Sequence, residues 1–361
     1  IVDTLLLLIY EHIRRYPKIE IQDVVKLLYQ QQLGTGHAVP SFNAAFESIN
    51  KEREGLSSLT ARPLFESIGN NRYRLHLNSP QCSLFSSQTI SHLFTSQKEE
   101  TPNKEALENQ LANLLTLIKE ERLPFSLNAA QEFLAAYRFS GYPPLHHSQD
   151  YKNYYSPAYR VVGWEGPFFE NLLLAIEKRC VAATIKRPFL LAIDGRSGSG
   201  KSTLGAWLHH IYPNSTLLSM DEFFLPQQLK TPQRLHQPGG NVHHELLLNQ
   251  VLKPLQQKIP ASYTPFNCAT QQFDQPKPLE PAPFYIIEGS YSLHPSLFPY
   301  YHLSVFLTLP PALQKSRILA RSGPDMLPRF LNEWIPLEEA YFAATQPQRK
   351  VDFVYDTAPW P

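Results

Sequence analysis

Nine consecutive residues concentrate the chemistry of this chain. Gly195, Arg196, Ser197, Gly198, Ser199, Gly200, Lys201, Ser202 and Thr203 fit the pattern G-x-x-x-x-G-K-[ST]. Glycines at 195, 198 and 200 let the backbone curl, so that its N–H groups turn inward and make a nest for a polyanion. A helix that begins at the lysine adds its own N-terminal donors. Gly195, Ser197, Gly198, Ser199, Gly200, Lys201, Ser202 and Thr203 are therefore the expected phosphate-binding residues. In such a loop the lysine reaches the outer phosphates and the Ser202 hydroxyl ligates Mg²⁺. The competing reading is an accidental match in a tight turn. An apolar run before the loop and a helical pattern after it argue against that.

Two acids and two arginines follow at positions that suit phosphate chemistry. Asp221 comes at the end of an apolar run, in Met220-Asp221-Glu222-Phe223-Phe224. In an open α/β sheet the carboxyl ends of strands face the ligand crevice. Asp221 would there accept a proton from a hydroxyl or hold Mg²⁺ through water; a helix N-cap is the plainer alternative. Glu288 ends another apolar run, Ile286-Ile287-Glu288-Gly289. It reads as part of a metal shell, or else as a surface turn residue. Arg317 and Arg321 stand four apart on one helix face, where they would cover a transferring phosphoryl group, or simply form a solvated basic face.

These residues need a scaffold, and the hydrophobic rhythm supplies one. From residue 189 onward, short apolar runs (189–193, 216–220, 284–287, 303–309) alternate with helical patterns (201–211, 242–252). That alternation implies a parallel sheet with helices on both faces. The first half reads differently. Segments 5–16, 21–32, 104–123 and 129–137 carry apolar residues at helical spacing, and 73–77 alternates like a strand. The stretch 141–159 is rich in turn formers and aromatics and reads as an ordered loop. The expected organisation is a helix-rich α+β domain over 1–163, a linking helix over 164–185 and an α/β phosphate-binding domain over 186–361.

Composition narrows the function classes. The length of 361 residues suits two domains. With 43% hydrophobic and 18% charged residues the chain is globular, not disordered. The net charge of +1 gives no footprint for general nucleic-acid or membrane binding. Cys82, Cys180 and Cys268 form no CxxC pair, which points to a reducing, cytoplasmic setting. The apolar run 5–10 is too short to span a membrane, and no secretory signal is expected. Prolines number 32 and glycines only 15, so loops are stiff and glycine clusters are informative.

Taken together, residues 186–356 resemble the uridine kinase family of P-loop kinases, and less closely phosphoribulokinase and bacterial pantothenate kinase. The matching parts run in the family's order. They are the glycine loop, Asp221 to Phe224, Gly239-Gly240-Asn241-Val242, Tyr263-Thr264-Pro265-Phe266-Asn267, Glu288-Gly289 and the arginine helix. The run Val351 to Tyr355 is similar to the family's last strand. The Gly239–Val242 block and the segment 334–342 (Trp334, Glu338, Tyr341, Phe342) resemble a bacterial uridine kinase-like subgroup, often with an N-terminal extension. The resemblance implies a P-loop kinase fold, ATP and Mg²⁺ as cofactors, and a small-molecule hydroxyl as acceptor. It implies Asp221, Lys201, Arg317 and Arg321 as catalytic residues and Ser202, Asp221 and Glu288 as metal ligands. It places Phe224, Asn241, His243, Tyr263, Phe266 and Asn267 at the acceptor. His243 and Asn267 stand where the family usually carries acids, and neither offers a carboxylate to grip a diol.

In the first half, the run Leu33 to His37, the pair His146-His147, Glu66 and Arg74 would line a second site. Their spacing matches no standard zinc pattern. Tyr151, Tyr154, Tyr155 and Tyr159 lack interleaved basic residues and read as packing, not as a base-stacking platform. The functional expectation is ATP-dependent phosphoryl transfer to a small, nucleoside-like alcohol. The alternative is a nucleotide-binding regulatory module without turnover.

Overall fold

Helical spacing in the first half and short apolar runs in the second fold into separate bodies. The computed structural model divides into units Ile1–Glu177 and Lys178–Pro361. It describes residues 2–34, 41–56, 62–96, 103–181 and 188–360. The division falls inside the segment expected to link the domains. Among the described residues no helix is long and apolar enough to cross a membrane.

The first unit runs α1 (Val2–Arg15), α2 (Ile21–Leu33), α3 (Phe42–Glu54), β1 (Phe65–Gly69), β2 (Arg72–His76), α4 (Ser87–Thr95), α5 (Lys104–Lys119), α6 (Leu127–Phe139), α7 (Gln149–Tyr155), β3 (Tyr159–Val162), α8 (Glu165–Phe168) and α9 (Glu170–Ile176). Apolar stripes on α1, α2, α5 and α6 meet in one core, with Ile9, Val24, Leu28, Leu107, Leu111, Leu114 and Leu134 fully buried. Helix starts are capped as the sequence allows. The Asp23 carboxylate accepts from Glu20 N–H at 3.1 Å, and Ser148 Oγ accepts from Tyr151 N–H at 3.1 Å. Strands β1, β2 and β3 form an antiparallel sheet in that order. Its register pairs Glu66 with Arg74. The 141–159 segment is not loop throughout, because it holds α7 and the start of β3.

The second unit runs β4 (Phe189–Gly195), α10 (Lys201–Ile211), β5 (Ser215–Ser219), α11 (Pro232–Leu235), α12 (His244–Leu247), α13 (Lys253–Gln257), β6 (Ser262–Tyr263), β7 (Phe266–Asn267), β8 (Gln272–Phe273), β9 (Lys277–Pro278), β10 (Phe284–Glu288), β11 (Leu303–Thr308), α14 (Pro311–Arg329), α15 (Ile335–Thr345) and β12 (Phe353–Asp356). Five strands make a wholly parallel sheet in the order β12-β11-β4-β10-β5. Every residue of β4 is buried, as a central parallel strand requires. This α/β architecture, with its helix-rich partner unit, is the one the sequence implied. The register places Glu288 beside Ile193 on one side and Ser219 on the other. The carboxyl ends of β4, β10 and β5 therefore share one edge, and the glycine loop, Glu288 and Asp221 emerge there. Helix α14 kinks at Gly323, where φ is 79°.

Candidate active site

The glycine loop leaves β4 and closes on α10. Its shape needs glycine at three positive-φ positions: Gly195 (146°), Gly198 (75°) and Gly200 (90°). At Gly195 space forbids a side chain as well, because a Cβ would lie 2.1 Å from the Leu307 carbonyl oxygen. Lys201 opens α10 and folds back over the loop. Its Nζ donates to the carbonyls of Gly195 (2.8 Å) and Arg196 (3.0 Å). Ser199 is fully buried, and its Oγ has no hydrogen-bond partner.

The acids assemble beside this loop. Ser202 Oγ donates to Glu288 Oε2 at 2.9 Å. Glu288 is buried, which removes the surface-turn reading. Burial raises its pKa; hydrogen bonds from Ser202 and Ser219 oppose the rise, and the nearby Asp221 charge adds to it. Asp221 itself is exposed, two residues past the end of β5. It does not cap the turn that follows. Ser219 does so, accepting from Asp221 N–H at 3.3 Å. Ser202 and Glu288 are in contact, and Asp221 is near enough for its charge to act on Glu288; all three carry oxygen donors, the kind a hard cation such as Mg²⁺ prefers.

Three residues that sequence reasoning left without a role organise the loop. Asp194, the last side chain before it, is fully buried. Its Oδ1 accepts from the N–H of Gly195 (2.7 Å) and Tyr291 (3.1 Å). Its Oδ2 accepts from Leu293 N–H (3.1 Å) and the Tyr341 hydroxyl (3.0 Å). Burial pushes its pKa up to about 6, against the Lys201 charge and those hydrogen bonds. Glu338 on α15 accepts from the N–H (3.0 Å) and hydroxyl (2.7 Å) of Ser197, and from Ser290 Oγ at 2.8 Å. Glu339 pairs with Arg196, whose guanidinium lies 5.5 Å from the Phe342 ring. The signals were present: an acid closing an apolar strand, and a glutamate inside the 334–342 segment.

The two arginines of α14 part company. Helix α14 packs on the loop, so that a Cβ on Gly198 would lie 3.3 Å from Ile318 and 3.8 Å from Arg317 Cβ. Arg317 donates to Thr357 Oγ1 (3.0 Å) and Thr357 O (2.8 Å). Arg321 is exposed, bonded to Ser322 Oγ and set 5.5 Å from the Phe330 ring. The Trp360 ring covers Gly200, where a Cβ would approach it to 2.2 Å. Thr203 lies on the first turn of α10.

The expected acceptor residues lie along two segments. Phe224 bridges to Val242, and Leu225 N–H donates to Asn241 O at 3.1 Å. Arg234 fastens the second segment, bonding Gly240 O, Val242 O and both Glu245 oxygens. His243 stands 3.2 Å from Glu245, and Asn241 bonds the Tyr291 phenol. Tyr263 donates to Glu222, which also pairs with Lys277 at 2.9 Å. Burial, with the Glu222 bond, pushes the Tyr263 phenol up to about 12. Phe266 is buried against Phe273. Asn267 caps its own turn through Ala269 N–H and reaches Asp274 at 3.4 Å.

In the first unit, the second candidate set is only partly joined. Glu66 is buried among Tyr16 (2.6 Å), His76 (2.7 Å), His12 (3.2 Å) and Arg15 (3.1 Å). Arg74 donates to Gln30 at 3.0 Å. His147 bonds Asp23 and Tyr159, whereas His146 is exposed. Gly34 ends α2; His37 lies outside the described residues. Among the described residues no group of three or more His, Cys, Asp or Glu is placed to hold a metal ion.

No protein-family model matches the chain, and no curated protein matches it. Solved structures do. One, described as a possible uridine kinase from Bacillus stearothermophilus, shares 20% identity over 52% of this chain and 100% of its own, with a TM-score of 0.39. Another, a D-glycerate 3-kinase from Cryptococcus neoformans, shares 14% identity over 49% of this chain and 88% of its own, with a TM-score of 0.34. The parallel order β12-β11-β4-β10-β5, with the glycine loop on the central strand β4 and Glu288 at the end of the adjacent β10, gives the second unit a P-loop type of α/β fold.

Proposed function

We propose that the second unit is an ATP-dependent kinase acting on the hydroxyl of a small, nucleoside-like molecule. The observation that carries this reading is the shared edge where the glycine loop, Ser202, Glu288 and Asp221 meet. A P-loop alone would bind nucleotide. An exposed carboxylate beside it adds a proton acceptor for an incoming alcohol.

The inward-turned N–H groups and the buried, partnerless Ser199 hydroxyl suit a phosphate chain. Ser202, Glu288 and Asp221 would hold Mg²⁺, which offsets phosphate charge when bound. Lys201 exchanges the carbonyls of Gly195 and Arg196 for phosphate oxygens. Arg317, already against Gly198, adds positive charge at the loop, and Arg321 joins it when the outer part of α14 closes. Asp221 orients the acceptor hydroxyl and takes its proton. Phe224, Asn241, His243, Tyr263, Phe266 and Asn267 form the acceptor side, with the Glu222–Tyr263–Lys277 group supplying polar contacts. Most of the rate comes from positioning and electrostatics. The net charge and separated cysteines support a cytoplasmic enzyme without a nucleic-acid or membrane partner.

A second reading is a nucleotide-binding regulatory module. The Glu338 contact to Ser197 favours it, because a carboxylate there takes donors that face the nucleotide. ADP release measured with a panel of nucleosides, sugars and hydroxy acids separates the two. Stimulation by an acceptor, lost in Asp221→Asn, supports the kinase. ATP binding with no stimulation by any acceptor supports the module.

A further inference from the structure

The first unit opens a cleft of about 910 Å³ between α2, α3, the start of α7 and β3. That volume is within the usual range for small-molecule sites. Lys26, Lys51, Lys152 and Arg160 line it, and Glu52 is the one carboxylate among its described lining residues. Four cations less one anion leave +3. Glu52 is already bound to Arg160 at 2.7 Å, so among the described lining residues the three lysines are left without a free carboxylate.

The layer beneath holds a further cation, Arg74, offset by the buried Glu66 carboxylate opposite it in the β1–β2 register. Arg74 is wholly buried, with its guanidinium 4.6 Å from the ring of Tyr159, a lining residue. Its Nε has no hydrogen-bond partner. A second buried acid, Asp23, has its oxygens spent. They accept from Ser148 N–H (3.0 Å), Ser148 Oγ (2.7 Å) and His147 Nδ1 (2.7 Å). His147 Nε2 then accepts from the Tyr159 hydroxyl at 2.7 Å. Lys26 donates one hydrogen to Leu145 O and keeps two for the cleft. Burial, then the Arg74 charge, pushes its pKa down to about 8, with Lys152 acting in the same sense and Asp23 against it. Charge on the half-buried Lys26 carries a desolvation cost, which a bound anion would offset.

We propose that this cleft binds a small phosphomonoester dianion carrying a ring or apolar group. A phosphomonoester brings close to two charges and three acceptor oxygens, which matches three unpaired lysines; a carboxylate brings one charge. Phe94 and Tyr159 offer the apolar wall for the organic part. The proposal does not rest on the kinase reading, because none of these residues belongs to the glycine loop.

The test uses the full chain with phenyl phosphate as probe and benzoate as its carboxylate counterpart, both measured by calorimetric titration. Phenyl phosphate binds the wild type at least ten-fold more tightly than benzoate. Lys26→Met and Lys152→Ala each weaken it at least ten-fold, and Lys201→Ala changes it less than two-fold. Lys152 is exposed on α7, so its variant decides the matter if Lys26→Met lowers stability. No binding at 10 mM, equal binding of benzoate, or loss in Lys201→Ala instead of the cleft variants overturns the proposal.

Discussion

The Glu338 carboxylate holds Ser197 by both of its donors, the backbone N–H at 3.0 Å and the hydroxyl at 2.7 Å. A helix 141 residues further along the chain therefore supplies an anion to the phosphate loop. On the proposed kinase reading, a phosphate bound in the loop would meet that negative charge. Replacing Glu338 by Gln keeps the shape and removes the charge. ATP affinity is expected to rise about five-fold, roughly 1 kcal/mol. Equilibrium titration with ATP checks this, and an unchanged or weaker affinity would assign the carboxylate a supporting role instead.

Lys201 and Asp221 separate binding from chemistry. On the proposed reading Lys201 is the group that reaches the phosphates, so in Lys201→Ala turnover should fall at least about 100-fold. Asp221→Asn leaves ATP affinity within two-fold and lowers kcat by a similar factor. Asp221 is exposed and its side chain supports no core contact, so the melting temperature should stay within a few degrees. Full turnover in Asp221→Asn would remove it from the mechanism.

Gly195→Ala tests the loop's backbone. The added methyl lands 2.1 Å from the Leu307 carbonyl, between paired strands β4 and β11, where neither backbone can yield. A loss of about 3 kcal/mol is expected from overpacking and strain together. The urea midpoint measures it. A shift under 1 kcal/mol would show that the sheet relaxes.

His147 makes the first unit sensitive to acid. Burial pushes its pKa down to about 4, against the pull of the Asp23 hydrogen bond. His12 and His76 are shifted down in the same way by burial. The unfolded chain then takes up protons near pH 6.5, where the folded chain does not. Stability is full above pH 6.5 and falls as the pH drops toward 4, by on the order of 3 kcal/mol for His147. Urea midpoints at pH 7.5 and 5.0 should show this fall, and His147→Gln should make it shallower. Equal slopes in the two proteins would contradict the assignment.

The sequence made the second unit legible because one-dimensional signals carry it. A glycine loop is contiguous, and parallel strands are short apolar runs that end where the chemistry begins. Asp221 and Glu288 were readable for the same reason. Glu338 was not, since its partner Ser197 is remote in the chain and only folding joins them. Asp194 hid inside an apolar strand. In the first unit the long apolar stripes of α1, α2, α5 and α6 were clear. Helix α3 buries only Ala45 and Ile49, too thin a stripe to read. Strands β1 (Phe65-Glu66-Ser67-Ile68-Gly69) and β3 (Tyr159-Arg160-Val161-Val162) do not keep a strict apolar–polar alternation, so they carry no clear signal. The lysine cleft collects side chains from five separate stretches, and no spacing rule gathers them.

Helix α15 touches Asp194 through Tyr341, Arg196 through Glu339 and Ser197 through Glu338. The phosphate loop is accordingly not a portable cassette. Grafted into another protein with only its own strand and helix, it would lose the three side chains that set its shape. Its specificity is open to redesign from a distance, since a substitution on α15 can retune the loop without altering one letter of its own sequence.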